Sequence, residues 1–403
     1  MKIYSVTDVH EAYENFELFY NFAKKNDADM ICVLGDIVDK AFYKEKDALE
    51  YNELSQIMNQ ITSSEIERRN VHKNIKLSPF EFVKAKTVVA EEILCYGNYP
   101  KQWEQIAKKY LYLIDNVASK NMDRKYRIMK GFIRDNDDVL ALPGNHDKSL
   151  EETVLNKEDV HLKSKEIKGV KVAGFGGGGI CNLQGNVNAL MAGAKGTFLP
   201  LNYPFVPTEL VVDYNDFACN GEFYSDGIEH FKNVNPDVVL LHTPAYGCCD
   251  EVPSRAVDNQ NQDKTYDHSG SLSSLDYILK SDVKLVLSGH IHGAKGVRML
   301  QRKQGPVFAI NSGTLKSEDC TSNNNREFVE ILLDDNDKSF KECTFYRVLK
   351  NGQIIDTKSF VYDKSSFALR EINKMPELMI VSDNYDDFLK INDKNFYDAK
   401  KNL

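Results

Sequence analysis

Ile3-Tyr4-Ser5-Val6-Thr7-Asp8-Val9-His10 sets a short apolar run directly against an aspartate and a histidine. Such a run, closed by polar residues, predicts a strand buried on both faces. The arrangement repeats along the chain. Met30 to Leu34 runs into Gly35-Asp36, and Val139 to Leu142 into Gly144-Asn145-His146. Val238 to Leu241 runs into His242, and Val283 to Leu287 into Gly289-His290-Ile291-His292. In open α/β sheets, ligands bind beyond the carboxyl ends of the strands. Five strand ends that each deliver a metal-binding type of side chain predict an α/β fold with one shared site. Val170 to Phe175 and Val307 to Ile310 supply two more buried strands. Phe328 to Leu333, Phe345 to Leu349 and Gln353 to Tyr362 alternate as hairpin strands do.

Residues 41–130 break this rhythm. They are rich in Glu, Lys, Gln and Asn, with apolar residues at helical spacing: Leu49, Leu54, Ile57, Met58 and Ile61, then Ile106, Tyr110, Leu113, Ile114 and Val117. The pattern predicts amphipathic helices inserted between the second and third ligand-bearing strands, as a packing element, a lid or a homo-oligomer contact. The expected organisation is a core of 1–40 and 131–345, a helical insert of 41–130, and C-terminal strands with a surface segment over 346–403. Gly176 to Gly179 follows a strand but matches no phosphate-loop pattern, so a loop at the rim of the site is expected.

The bulk composition narrows the classes. Hydrophobic residues make up 42% and charged residues 28% of 403, as in ordinary globular proteins. No apolar run approaches the roughly 18 residues that span a bilayer, and the N-terminus enters its first strand at once. A cytoplasmic protein without a membrane partner is therefore expected. Eight scattered cysteines lack metal-ribbon spacing and predict reduced, mostly buried thiols. The net charge of -9 does not attract nucleic acid, although bound cations can invert the charge inside a cleft.

Asp8, His10, Asp36, Asn145, His242, His290 and His292 together offer two carboxylates, one amide and four imidazoles. Such oxygen and nitrogen donors suit manganese, iron, zinc or nickel rather than a thiolate metal or calcium. Seven ligands exceed the need of one ion with an open position and match two divalent ions sharing a carboxylate. A pair of ions clamps a phosphoryl group and provides a hydroxide nucleophile at neutral pH, which points to phosphoester hydrolysis by in-line attack.

The five blocks resemble the signature of the calcineurin-like metallophosphoesterases. They stand in that family's order as Asp8-Val9-His10, Gly35-Asp36, Gly144-Asn145-His146-Asp147, His242 and Gly289-His290-Ile291-His292. The resemblance implies a four-layer α/β/β/α sandwich of two mixed sheets. It places Asp8, His10 and His292 on one metal and Asn145, His242 and His290 on the other, with Asp36 bridging. It also makes His146 the group that assists the leaving oxygen and Asp39 the residue that orients His146. Lys40-Ala41 stands where protein phosphatases of the superfamily carry Arg-Gly, and Lys lacks the bidentate fork. The segments around Leu241-His242-Thr243-Pro244 and Asn311-Ser312-Gly313-Thr314 look more like small prokaryotic phosphodiesterases. Tyr246, Arg255 and His268 are candidate substrate contacts.

The expected function is a metal-dependent phosphodiesterase or phosphatase acting on a small, nucleotide-like substrate. A DNA or RNA nuclease of the same superfamily shares all five blocks and is the alternative. A non-catalytic scaffold, expected to lose ligands, suits an intact ligand set poorly.

Overall fold

The computed structural model describes residues 1–69, 79–135, 138–177, 226–253, 266–268, 270–316 and 326–372. Two mixed sheets carry the architecture. In the first, β1 (Lys2–Val6) lies parallel to β2 (Met30–Val33), which lies parallel to β3 (Val139–Ala141). The second contains β4 (Ser164–Ile167), β5 (Val170–Phe175), β6 (Val238–Leu241) and, beyond the small β7 (Glu251–Pro253)–β8 (Tyr266–His268) hairpin, β9 (Leu285–Ser288), β10 (Gly296–Leu300) and β11 (Val307–Asn311). Its order is β10-β11-β9-β6-β5-β4. The chain then returns to the first sheet through β12 (Glu327–Leu333), β13 (Phe340–Val348), β14 (Ile354–Asp363) and β15 (Ala368–Glu371), giving the order β15-β14-β13-β12-β1-β2-β3. β13 runs across the boundary expected at 345/346 and pairs with β14, so the sheet continues through it.

Alternation along the strands produces the layers. Ile3, Met30, Cys32, Leu140, Val172, Leu240, Leu285, Leu287 and Ile331 share one core cluster between the two sheets. Their neighbours face outward: Tyr4, Val6, Ile31, Val33 and Val139 meet helix α1 (Tyr13–Lys25) through Phe16, Phe19, Tyr20 and Ala23. That helix shows apolar residues at i, i+3, i+4 and i+7, one stripe against the sheet. On the other side Val239, Leu241 and Val286 lie under α6 (Asp226–Val234) and α7 (Leu272–Lys280), whose Phe231, Leu275 and Ile278 complete a third cluster. Helix, sheet, sheet, helix: the expected four layers are present.

The stretch after β2 forms α2 (Glu45–Arg69), α3 (Pro79–Tyr96), α4 (Lys101–Tyr112), a π-helical turn at Leu113–Ala118 and α5 (Ser119–Lys130). Its buried side chains, including Met58, Ile61, Ala90, Tyr110 and Met122, belong to the same cluster as α1. The inward face of α2 is rotated from the sequence expectation. Leu49 and Ile57 are exposed, while Tyr51, Thr62 and Glu65 are buried. Among the described residues no helix is long and apolar enough to cross a membrane. The described cysteines are free: Cys32, Cys248 and Cys343 are buried, Cys249 is half-buried and Cys95 is exposed. The remaining cysteines, Gly178, Gly179 and most of the C-terminal segment lie outside the described residues.

Candidate metal centre

The parallel strands of both sheets end on one side, and their following loops bring the sequence-predicted residues together. Asp8, His10, Asp36 and His290 all have left-handed backbones, with φ of 51°, 43°, 50° and 64°. For a residue with a Cβ this costs about 1–3 kcal/mol, and it persists only where the surroundings enforce it. Here Asp8 N donates to Gly35 O (3.0 Å) and His10 N to Asp36 O (2.8 Å), lacing the first two loops together. Thr314 Oγ1 donates to Asp8 O (2.9 Å), and His290 N donates to Asp8 Oδ2 (2.8 Å).

Two clusters result, and Asp36 lies between them. On one side His292 Nε2 is 3.0 Å from Asp8 Oδ1, and His10 Nε2 is 3.2 Å from His292 Nε2. His10 Nε2 also lies 3.6 Å from Asp36 Oδ2. On the other side His242 Nε2 is 3.5 Å from Asp36 Oδ1 and 3.0 Å from Asn145 Oδ1. His290 joins that side, with Asp36, His242 and His290 ligand atoms mutually within 4.8 Å. An ion with bonds of about 2.1 Å spaces neighbouring ligands about 3.0–3.5 Å apart. The observed separations have this size, and facing imidazole nitrogens have no better use for one another. The donors present therefore fit a pair of divalent ions.

The outer ring nitrogens set the inner ones. His242 Nδ1 donates to Leu34 O (2.6 Å), which leaves Nε2 as the lone pair facing Asp36. His10 Nδ1 lies 3.3 Å from Asp39 Oδ1, an ion-pair distance that orients the ring with Nε2 toward His292 and Asp36. His146 donates from Nδ1 to the main-chain oxygen of Asp39 (3.1 Å), and its Nε2 sits 4.0 Å from Asp36 Oδ2. Asp39 thus serves two histidines: its carbonyl meets His146, while its carboxylate meets His10 and Lys316 Nζ (2.8 Å). Burial, then the neighbouring His242, push His290 down to about 4, against the pull of Asp36 and Asp8. It is neutral at pH 7, as a ligand must be. Burial raises the Asp36 carboxyl, but His146, His242 and His10 outweigh it and hold the group ionised.

Several supporting residues went unassigned in the sequence. Asp147 accepts from Ile37 N (3.1 Å), Val38 N (3.1 Å), Gly144 N (2.8 Å) and Tyr126 OH (3.0 Å), tying the Asp36 loop to the Asn145 loop. Asn311 Nδ2 donates to Cys249 O (3.0 Å), Gly289 O (3.3 Å) and Ile291 O (3.1 Å), while its Oδ1 accepts from Gly313 N (2.9 Å). Each ends a strand-like run or follows a ligand, which was the only signal available. Gly289 is required by close approach: a Cβ there would lie 1.8 Å from Thr7 Oγ1 and 2.8 Å from Asp8 Oδ2. Gly289→Ala is expected to lower metal content about 10- to 100-fold at limiting metal, since it displaces Asp8. Elemental analysis after dialysis reads this; parental retention would refute it.

Of the substrate-contact candidates, Tyr246 is buried in the third core cluster, its ring 5.0 Å from that of His268. His268 Nδ1 pairs with the fully buried Asp250 (2.7 Å). Arg255 lies outside the described residues. Gly177, the second residue of the glycine run, has φ 95° and its carbonyl accepts from Thr243 Oγ1 (3.3 Å), beside His242.

Solved structures with likeness to this chain include TT1561 of Thermus thermophilus, 14% identical, over 84% of this chain and 96% of that one, with a TM-score of 0.39. Another is a dimetal phosphatase from Danio rerio, 9% identical, over 86% and 95%, with a TM-score of 0.36. At these scores neither likeness carries an argument about function. No curated protein matches. The sequence profile of the calcineurin-like phosphoesterases matches residues 1–294, so the chain belongs to that family and is a metal-dependent phosphoester hydrolase.

Proposed function

We propose that the chain hydrolyses a small, nucleotide-like phosphodiester or phosphomonoester, with Asp8, His10 and His292 holding one divalent ion and Asn145, His242 and His290 the other. The observation that carries this reading is the Asp36 carboxylate, which turns one oxygen toward each imidazole cluster. A divalent pair there supplies Lewis acidity toward phosphoryl oxygens and lowers the pKa of water. The nitrogen and oxygen donors favour manganese, iron, zinc or nickel.

The chain's own groups do the rest. His146 stands at the edge of the pair with its ring about one-fifth exposed, reachable by substrate. Its Nδ1 proton is committed to Asp39 O, so a second proton on Nε2 is the one available to a departing alkoxide. The carboxylates Asp8 and Asp36 are buried and organised before substrate arrives, which avoids reorganisation during reaction. A net charge of -9 favours a small substrate over a polyanionic strand.

The test is a matrix of metals and substrates. The chelated chain is reloaded with Mn, Ni, Zn or Mg and assayed on a phosphomonoester, a phosphodiester, cyclic nucleotides and single-stranded DNA. Turnover of a small ester, absent without metal and weakly dependent on salt, is expected. Preferred cleavage of DNA with steep salt dependence would make the chain a nuclease instead. No hydrolysis under any condition would leave a scaffold.

A further inference from the structure

Helix α5 turns a polar face toward the two loops that carry Asp36 and Asn145. Asn121 Nδ2 donates to Ala41 O (2.7 Å), and Lys125 Nζ donates to Lys40 O (2.6 Å) and Glu11 Oε1 (2.5 Å). The same Glu11 oxygen accepts from Asp39 N (3.0 Å) and Lys40 N (3.2 Å). At the next residue, Tyr126 OH donates to Asp147 Oδ1 (3.0 Å) and accepts from Lys148 N (3.1 Å). Lys148 Nζ returns to Asp123 Oδ1 (2.7 Å). Asp147 in turn holds the amides of Ile37, Val38 and Gly144. Residues 121 and 125 share a helix face by i,i+4 spacing, and Tyr126 lies on the adjoining stripe with Met122 and Met129.

Apolar packing alone would dock this helix, because Met122, Tyr126 and Met129 are buried in the core cluster with α1. The polar groups add something packing does not. Lys125 is only 7% exposed, and burying an ammonium is costly unless it is paired and fully bonded. A satisfied buried network of this kind fixes one arrangement of the groups it joins. Those groups are the peptide segments immediately flanking Asp36, Asp39, Asn145 and His146.

We infer that α5 is a positioning element of the metal centre: through Lys125 and Tyr126 it sets the loops of Asp36 and Asn145, so the helical stretch acts on metal affinity and not as a lid. This rests on the reading of Asp36 and Asn145 as ligands. Neither Lys125 nor Tyr126 is assigned a contact with substrate.

The experiment compares Lys125→Met, Tyr126→Phe and Lys125→Arg with Lys86→Met in the full chain. Lys86 is a buried amine of α3 that bonds Ser55 Oγ (3.0 Å), within the same helical stretch but away from the loops. Each metal-free protein is melted thermally, then titrated with Mn2+ by calorimetry. Lys125→Met and Tyr126→Phe are each expected to weaken Mn2+ binding about 10-fold, the usual effect of losing a partner behind a ligand. Lys125→Arg should recover part of the loss, and Lys86→Met should bind as the parent does whatever its Tm. Parental affinity in both loop-facing variants overturns the inference. So does an equal loss in Lys86→Met, which would mean general destabilisation. A parent chain that binds no Mn2+ would instead sink the ligand assignment itself, and this inference with it.

Discussion

Asp36→Asn is expected to lose both metal ions and nearly all activity while remaining folded. The carboxylate is the group common to the two clusters, with Oδ2 3.6 Å from His10 Nε2 and Oδ1 3.5 Å from His242 Nε2. Asparagine keeps the shape and can still accept from His146 N, which donates to Asp36 Oδ1 at 2.8 Å. It removes the charge and one of the two acceptor oxygens, so the Asn145–His242–His290 side loses its only carboxylate and the other side is left with Asp8 alone. Turnover should fall about a thousandfold or more, since both the Lewis acid and the activated water depend on the ions. Elemental analysis, a thermal melt and an esterase assay on one preparation check this. A variant with parental metal and rate would refute the bridging role.

His146→Ala is expected to behave differently. Its ring packs edge-on against His10 with centroids 5.0 Å apart and it sits in a group of close donors with His10 and Asp39, but its Nε2 is 4.0 Å from Asp36 and it belongs neither to the Asp8–His10–His292 group nor to the Asp36–His242–His290 group. Metal content should therefore hold. Turnover should fall about 10²- to 10⁴-fold on substrates with an alkoxide leaving group, which need a proton. A nitrophenolate leaving group departs without one, so its loss should be much smaller. Equal losses on the two substrates, or loss of metal, would show that His146 is not the acid.

How far the sequence anticipates the structure depends on where a strand lies in its sheet. The runs Val170 to Phe175 and Val238 to Leu241 are β5 and β6 to the residue, because strands paired on both sides and covered on both faces are apolar, with only the exposed Lys171 near the start of β5 departing from this. The strands without a sequence signal are β4, β10 and β15, which lie at sheet edges, and the three-residue β7 and β8 of the small hairpin. Ser164–Ile167 carries Lys and Glu in the middle, as an exposed edge tolerates and even favours. The seven ligand candidates were legible because polar residues directly after buried strands have few other reasons to recur. Asp147 and Asn311 were not, since a side chain that serves main-chain amides or carbonyls leaves no pattern of its own. The double use of Asp39 was equally hidden: its carbonyl reaches His146 while its carboxylate reaches His10.

The central claim is that two cations sit on either side of Asp36. Diffraction from crystals loaded with Mn2+, recorded at the manganese edge, tests it most directly. Two anomalous peaks per chain are expected, one among Asp8, His10, Asp36 and His292, the other among Asp36, Asn145, His242 and His290. A single peak, or peaks away from these side chains, would contradict it.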